Sequence, residues 1–218
     1  MKYIVALFGE SGCGKDTIKE AILDKYSDIK PILRLTTRPM RESESQYNPY
    51  VFVDEPTLQK MVLQNIDNFL EMEKLDNCIE SSGALNTWFY TTHRQHSFSD
   101  DCHCYVGCYS QEALESLCDS MLYDDEFTII PVRVAVDDKI RLIRQLERED
   151  NPNCLEICRR FQTDAKDYCC ELSYPYYTIT NNSTLEHCMK QISLIIDSEV
   201  LCTLHEHDHD HDHEHEYC

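Results

Sequence analysis

The sequence predicts an α/β fold in which a parallel sheet is flanked by helices. A strongly apolar run at residues 3–8 is followed by a glycine-rich turn and then by apolar residues at helical spacing. Strand-like and helix-like segments continue to alternate along the chain, which is typical of parallel sheets built from βα units. The length of 218 residues suits one such domain with a core of its own.

The individual elements follow from the spacing of the apolar residues. Continuous apolar runs predict strands at residues 3–8, 103–109, 127–136 and 176–180, with a shorter run at 32–35. Helical spacing predicts helices at residues 16–26, 55–65, 111–120 and 184–204, and two more helices after residue 137. We expect Pro131 to lie at a bulge in its strand, because proline cannot donate to a sheet ladder.

The glycine-rich turn reads Gly9-Glu10-Ser11-Gly12-Cys13-Gly14-Lys15-Asp16-Thr17. Its G-x-x-x-x-G-K spacing between a strand and a helix predicts a phosphate-binding loop and a P-loop NTPase fold. Glycines let backbone N–H groups turn toward phosphate oxygens, and the helix start adds its positive dipole end. Lys15 is expected to reach the outer phosphates as a mobile charge. Three of the five glycines in the chain lie here, which argues against an ordinary turn.

Asp16 stands where a serine or threonine usually follows the lysine of such a loop. A carboxylate is a hard oxygen ligand and suits Mg²⁺. Two arrangements stay open at this point: Asp16 binds the metal, directly or through water, or Thr17 supplies a hydroxyl ligand.

The composition excludes several classes of function. A formal net charge of −20 argues against a general nucleic-acid binder, and no apolar run is long enough to span a membrane. An odd count of 13 cysteines without a signal peptide predicts reduced, mostly buried thiols in a cytoplasmic protein. Cys13 is the expected exception, because Lys15 and a helix N-terminus beside it would make its thiol unusually acidic.

A second motif follows at residues 36–41, Thr-Thr-Arg-Pro-Met-Arg, and Tyr-Val-Phe-Val comes at residues 50–53. Two arginines three residues apart can converge on one anion with forked hydrogen bonds. This order of motifs after a phosphate loop resembles the guanylate kinases. The resemblance implies that Arg38, Arg41 and Tyr50 hold the phosphate of the acceptor nucleotide, GMP.

The resemblance also implies residues that read the base. Glu71 is the best match to a glutamate that accepts hydrogen bonds from guanine, with Glu73 as the fallback, and Thr91 keeps a hydroxyl expected to meet the base. Two of the departures from the family concern this part of the site. Tyr90 replaces a glycine, and the strand at residues 103–109 ends without the two aspartates of the family, whose electrostatic role Asp16 is conjectured to take over.

The region after residue 137 resembles the mobile lid of the family. Arg144, Arg148 and Arg160 best match the lid arginines that close over the phosphates of ATP. A closing lid disperses positive charge over the transferred group and excludes water. Arg141 and Arg159 are interpreted instead as members of an exposed, charge-rich helix.

The resemblance predicts one domain at residues 1–204, with an acceptor lobe near residues 34–95 and a lid near 137–170. It implies ATP and Mg²⁺, with ATP contacts from Gly9, Ser11, Gly12, Cys13, Gly14, Lys15, Asp16 and Thr17. The tail at residues 205–218 alternates histidine with acidic residues, so we expect it to be disordered, with loose Zn²⁺ or Ni²⁺ binding as an open option.

The leading functional hypothesis is phosphorylation of GMP or dGMP by ATP, yielding GDP or dGDP. A kinase acting on another phosphorylated acceptor, of the ribose 1,5-bisphosphate-forming or phage deoxynucleotide type, is the first alternative. The second is a guanylate-kinase-like binding module that has lost catalysis. The missing aspartates favour the module, whereas Lys15 and the intact glycine loop argue against it.

Overall fold

The computed structural model describes residues 1–40, 45, 50–80, 82–148 and 150–201. The strands are β1 Lys2–Phe8, β2 Ile29–Pro31, β3 Leu35–Thr36, β4 Val51–Phe52, β5 Phe69–Ile79, β6 Leu85–His93, β7 Cys104–Tyr109, β8 Phe127–Ala135 and β9 Tyr177–Thr180. The helices are α1 Lys15–Lys25, α2 Glu55–Gln64, α3 Arg94–Ser97, α4 Gln111–Ser120, α5 Asp138–Glu147, α6 Cys154–Asp167 and α7 Leu185–Ile196. A 3₁₀ turn (Ile66–Asn68) precedes β5, and a π-helical turn (Asp197–Leu201) extends α7.

The main sheet has five strands in the order β2-β7-β1-β8-β9, and every neighbouring pair is parallel. The central strand β1 is buried from Tyr3 to Phe8. Alternate side chains of β1 point to opposite faces. Val5 and Leu7 pack in a core with α1 and α7, whereas Ile4 and Phe8 pack in a second core with α4. The predicted α/β class with a parallel sheet flanked by helices is confirmed.

A second sheet is built from strands between residues 35 and 93, in the order β4-β3-β6-β5. Its long antiparallel hairpin pairs β5 with β6, and β3 adds antiparallel to β6. The helix α2 starts at a cap in which the side chain of Asp54 accepts a hydrogen bond from the amide of Thr57. This sheet brings Arg34, Glu71 and Thr92 together in one hydrogen-bonded group.

Most element boundaries lie within one or two residues of those predicted, and α4 has the predicted bounds. The bulge predicted at Pro131 was wrong. Ala6 pairs with Pro131 in an unbroken register between β1 and β8, and β9 pairs with β8 only from Val132 onward. The proline therefore precedes the first residue that β9 engages.

Two predictions concern the end of the chain. Helix α7 begins at the predicted position, with Thr184 as its cap, and its continuation is described as far as Leu201. The tail at residues 205–218 lies outside the described residues. Within the described part of the chain, no helix is both long and apolar enough to cross a membrane.

Candidate active site

The loop between β1 and α1 has a backbone that only glycine adopts easily. Gly9, Gly12 and Gly14 have φ angles of +148°, +81° and +96°. There is also too little space for a side chain at these positions. A Cβ on Gly9 would lie 2.7 Å from the carbonyl oxygen of Val134, and one on Gly12 would lie 2.7 Å from that of Arg141. Backbone approach and φ together explain the three glycines of the motif.

Gly12 and Gly83 form a matched pair for testing this packing. Their φ angles are +81° and +82°, but a Cβ on Gly83 would meet no atom of the described residues within 4 Å. An alanine at either position would therefore have the same backbone strain from its positive φ angle. We expect Gly12→Ala to lower the free energy of unfolding by about 1–3 kcal/mol more than Gly83→Ala. Urea denaturation measures the difference, and equal losses would contradict the packing argument.

Lys15 turns back into the loop. Its Nζ donates to the carbonyl oxygens of Gly9 at 2.5 Å and Glu10 at 3.2 Å. Burial lowers the pKa of Lys15, but Cys13, Tyr168 and other acidic groups around it outweigh burial, so that the pKa is raised overall. A full positive charge is thus held inside the curl of the loop, where an anion would be bound.

The expectation of an acidic Cys13 thiol was wrong. Cys13 is completely buried, and burial raises the pKa of its thiol even though Lys15 acts in the opposite direction. Its side chain belongs to the core shared by Ile18 and Ile192. Cys13 is therefore a packing residue beneath the loop, and its contribution to a phosphate site is limited to its backbone.

Asp16 presents a carboxylate oxygen beside the loop. Its Oδ1 is buried and accepts no hydrogen bond from the residues that the structure describes, and Nζ of Lys19 lies 4.0 Å away. Burial raises the pKa of Cys108 to about 12, and the Asp16 carboxylate contributes to that rise, so the two groups are close. Cys108 lies in the strand that lacks the family's aspartates. Asp16 thus carries negative charge near that strand end.

The donor set fits Mg²⁺ in part. Among the described residues no group of three or more metal-ligating side chains occurs. Mg²⁺ in phosphoryl-transfer sites commonly uses one or two carboxylates together with phosphate oxygens and water. The unpaired Oδ1 of Asp16 matches that pattern, whereas Thr17 is exposed.

Unpaired polar atoms gather around the loop. Six buried side-chain polar atoms of the described residues make no hydrogen bond, and four of them belong to Asp16, Arg133, Arg144 and Tyr168. Arg133 pairs with Glu10 of the loop at 3.3 Å, and a Cβ built on Gly14 would lie 3.9 Å from Nη1 of Arg144. Because buried polar groups are normally satisfied, this concentration indicates a site for a polar ligand.

Helices α5 and α6 are fastened to the loop through Ser11. Asp164 accepts hydrogen bonds from the amide of Ser11 at 3.0 Å and from its hydroxyl at 3.2 Å. Nη1 of Arg141 donates to Asp164 at 2.7 Å, and Nε2 of Gln145 donates to the carbonyl oxygen of Ser11 at 3.1 Å. The interpretation of Arg141 as an exposed helix residue was wrong, since it is 4% exposed. Helical periodicity alone did not reveal which face meets the loop.

The three lid arginines predicted from the sequence occupy different surroundings. Arg144 lies near the loop, where its Nη2 donates to the carbonyl oxygen of Asn181 at 2.9 Å. Asn181 in turn donates to the carbonyl oxygen of Cys13 at 2.9 Å. Arg160 donates to Glu156 at 2.8 Å, and Arg148 is exposed at the end of α5. The structure thus brings Arg144 to the phosphate loop, whereas the contact it gives for Arg160 is the ion pair with Glu156.

Glu156 links α6 to the end of β5. Its carboxylate accepts hydrogen bonds from the amide of Ile79 and from the guanidinium groups of Arg159 and Arg160, each at 2.8 Å. Burial acts to raise the pKa of Glu156, but these donors outweigh burial and hold the pKa below its ordinary value of 4.5. The carboxylate is therefore preferred in its charged form.

This pKa shift gives a stability prediction with a definite sign. A carboxylate whose pKa is lowered on folding stabilises the protein above its unfolded pKa, and the stabilisation is lost as pH falls through the folded pKa. We expect Glu156→Gln to lower Tm at neutral pH, and the difference from wild type to shrink below about pH 4.5. Thermal unfolding from pH 7 to pH 3 measures it, with the exposed Glu20→Gln as a control. A difference that grows in acid would contradict the prediction.

Beside β4 of the second sheet, Arg38 lies against aromatic rings. It is 5% exposed, and its guanidinium carbon lies 5.7 Å from the ring centre of Tyr50 and 5.5 Å from that of Phe52. Nη1 donates to the carbonyl oxygen of Pro39 at 2.8 Å. The structure brings Arg38 and Tyr50 together as predicted. Arg41 lies outside the described residues.

The predicted base readers are engaged by a residue that sequence reasoning missed. Arg34 donates from Nε and Nη2 to the two carboxylate oxygens of Glu71, each at 2.9 Å, and from Nη2 to Glu73 at 3.3 Å. Burial raises the pKa of Glu71, and Arg34 offsets part of this effect. The hydroxyl of Thr91 donates to the backbone carbonyl of Glu71. The sequence feature that could have revealed this contact was Arg34 itself, a single charged residue within the apolar run at 32–35.

A parallel sheet whose first strand leads through a glycine loop and a lysine into α1 defines a P-loop protein of the α/β class. Within that class, the guanylate kinase family model matches residues 1–85. The guanylate kinase of Syntrophomonas wolfei is 40% identical over 68 residues, which are 31% of this chain and 34% of the relative. That of Zymomonas mobilis is 46% identical over 55 residues, 25% of this chain and 26% of the relative.

The chain therefore matches about a third or less of the length of these relatives. The fold likeness extends further. The crystal structure of guanylate kinase from Anaplasma phagocytophilum aligns with a TM-score of 0.58 at 18% identity, and the alignment covers 91% of this chain and 86% of that one. The resemblance predicted from the sequence is confirmed, in sequence for residues 1–85 and in fold for most of the chain.

Proposed function

We propose that this protein transfers the γ-phosphoryl group of ATP to a nucleoside monophosphate, with GMP or dGMP as the leading acceptor. The observation that carries the proposal is the glycine loop with the Lys15 side chain inside its curl, together with Arg38 lying 5.7 Å from the ring centre of Tyr50. Burial raises the pKa of Tyr50, Asp16 at the start of α1 raises it further, and Arg34, which precedes β3, lowers it. These effects support a single site that includes the loop and the acceptor-side residues.

The loop side is suited to ATP. Backbone N–H groups curled around Gly12 and Gly14 would hold the phosphates, and Lys15 would neutralise charge on the outer ones. Asp16 would hold Mg²⁺, which supplies further neutralisation of the triphosphate when bound. Arg144 is the proposed lid arginine for the transferred group, and its position beside Gly14 supports that role. The hydrogen bond from the Ser11 amide to Asp164 supports contact between the proposed lid and the loop. No covalent nucleophile is required, because positioning and electrostatics account for phosphoryl transfer.

The acceptor side would take the monophosphate. Arg38 and the hydroxyl of Tyr50 are the proposed phosphate contacts, joined by Arg41, and Glu71 is the proposed base reader. We accordingly propose the strands at residues 35–93 as the core of an acceptor lobe, and α5 and α6 as the lid. The contact between Glu156 and Ile79, at 2.8 Å, supports the lid meeting the lobe. We also propose that the protein works in a reducing compartment such as the cytoplasm, which suits its free thiols.

An acceptor panel tests the function. ADP formation from Mg-ATP is measured with GMP, dGMP, AMP, CMP, dTMP and ribose 1,5-bisphosphate's precursor, and turnover with GMP or dGMP is the expected result. Turnover only with another acceptor would retain the phosphate sites and discard the guanine assignment. If no acceptor gives ADP although GMP binds in a calorimeter without ATP, the chain is a binding module and the catalytic proposal fails.

A further inference from the structure

We propose that Arg34 is an internal competitor of the guanine base: its guanidinium occupies Glu71 in the nucleotide-free protein, and guanine binds there only by displacing it. The inference rests on the proposed function, and it makes Arg34 a residue that sets acceptor specificity.

The occupancy of Glu71 is complete. Arg34 takes both carboxylate oxygens, and the hydroxyl of Thr92 donates to Oε1 at 2.8 Å. The side chain of Glu71 has no exposed surface and that of Arg34 is 5% exposed. Glu73, the other candidate reader, is also held by Arg34. One guanidinium therefore engages both carboxylates that could read a base.

The competition follows from the chemistry of the donors. The N1–H and 2-amino groups of guanine form a pair of parallel N–H donors on one carbon, which is the arrangement that a guanidinium presents to a carboxylate. Both ligands require the same two oxygens in the same plane. Adenine lacks this donor pair, so an adenine nucleotide gains nothing from the displacement of Arg34.

If guanine displaces the Arg34 guanidinium from Glu71, other groups next to it can still bind it. Nη2 already lies 3.3 Å from Glu73, so the guanidinium can release Glu71 and keep an anionic partner. Its carbon lies 4.9 Å from the ring centre of Tyr109 and 5.7 Å from that of Tyr90, and these ring faces accommodate a cation through a small shift. The guanidinium of Arg34 can therefore pair with either Glu71 or Glu73, and guanine bound at Glu71 would shift this equilibrium toward Glu73.

This arrangement predicts a weakened affinity for GMP. When Arg34 leaves Glu71 vacant in only a fraction of the molecules, the apparent Kd for GMP is the intrinsic Kd divided by that fraction. Removing the guanidinium with Arg34→Ala is expected to tighten GMP binding about tenfold or more and to leave AMP binding unchanged. Isothermal titration calorimetry measures both. Arg94→Ala removes a guanidinium paired with Asp124 elsewhere and serves as the matched control, for which no change is expected.

Free guanidinium ion can be used as a direct probe of the position beside Glu71 that Arg34→Ala leaves empty. Added at millimolar concentration to Arg34→Ala, it should raise Tm and increase the apparent Kd of GMP competitively, with no effect on AMP. Because Arg34→Ala leaves two buried carboxylates close together, the variant Arg34→Ala/Glu73→Gln removes one of them and carries the same predictions should the single variant not fold.

Two results would overturn the inference: GMP binding that is no tighter in the folded variant, or guanidinium and GMP binding together without competition. The activity of the wild type separates this outcome from failure of the proposed function. If the wild type phosphorylates GMP but the variant gains no affinity, only the inference fails. If GMP binding tightens as expected but no variant with Lys15 intact transfers phosphate, the catalytic proposal fails and the role of Arg34 stands.

Discussion

Replacing Lys15 with Met is expected to reduce ADP formation about 10²–10³-fold, the usual effect of removing one preorganised donor from a developing anion. The Nζ of Lys15 is held within the curl of the loop by the carbonyl oxygens of Gly9 and Glu10. A bound polyphosphate would exchange those two acceptors for phosphate oxygens, which carry more charge. Methionine keeps most of the length of the side chain and loses the cation, so the effect should be on the rate of transfer.

Lys25→Met is the matched control for this experiment. Lys25 ends the same helix and its Nζ donates to Ser193 at 2.6 Å, away from the loop. We expect wild-type turnover from the control and a similar unfolding midpoint for both variants. Steady-state assays of ADP formation measure the rates. Retention of most of the activity by Lys15→Met would show that the loop does not hold the reacting phosphates.

Replacing Asp164 with Asn is expected to lower the free energy of unfolding by about 2–3 kcal/mol, because a buried charged acceptor is lost. Asp164 accepts from Arg141 at 2.7 Å and from the Ser11 amide at 3.0 Å, and both it and Arg141 are less than a tenth exposed. The substitution removes the charge that balances Arg141 and loosens the loop. The KM for ATP should therefore rise together with the loss of stability.

Arg141 itself supplies the control, because it has a second acidic partner. Its Nε donates to Asp138 at 2.8 Å, but the side chain of Asp138 is 82% exposed. Exposed pairs contribute about 0–1 kcal/mol, so Asp138→Asn should have a small effect on unfolding in denaturant. Equal losses for the two variants would indicate that burial does not set the strength of this network.

The phosphate loop was predictable because its constraints are local. Positive φ angles at Gly9, Gly12 and Gly14 require glycine wherever the chain folds, so the requirement is visible in the sequence itself. Four strands of the main sheet, β1, β7, β8 and β9, were predictable for a similar reason, since a buried strand such as β1 reads as one apolar run. The strand β2 at Ile29–Pro31 was missed, because the short apolar run lies after it at residues 32–35. The boundaries of α4 were predicted from helical spacing, and the structure shows Ser110 as the cap at its start.

The missed features depend on partners distant in the chain. Arg141 acts through Asp164, 23 residues away, and Arg34 through Glu71, 37 residues away. Helical spacing could not distinguish the buried Arg141 from Arg160, which donates to Glu156 on its own helix. The prediction of an acidic Cys13 thiol took account of Lys15 beside it. It left out burial, which has the larger effect and raises the pKa of the thiol.

Phosphorus NMR of a mixture of Mg-ATP, GMP and the wild-type protein tests the central proposal most directly. The account predicts that GDP and ADP resonances grow at equal rates, and that neither grows with Lys15→Met. ADP accumulating with inorganic phosphate and no GDP would contradict transfer to the nucleotide, as would an unchanged spectrum under conditions in which GMP is bound.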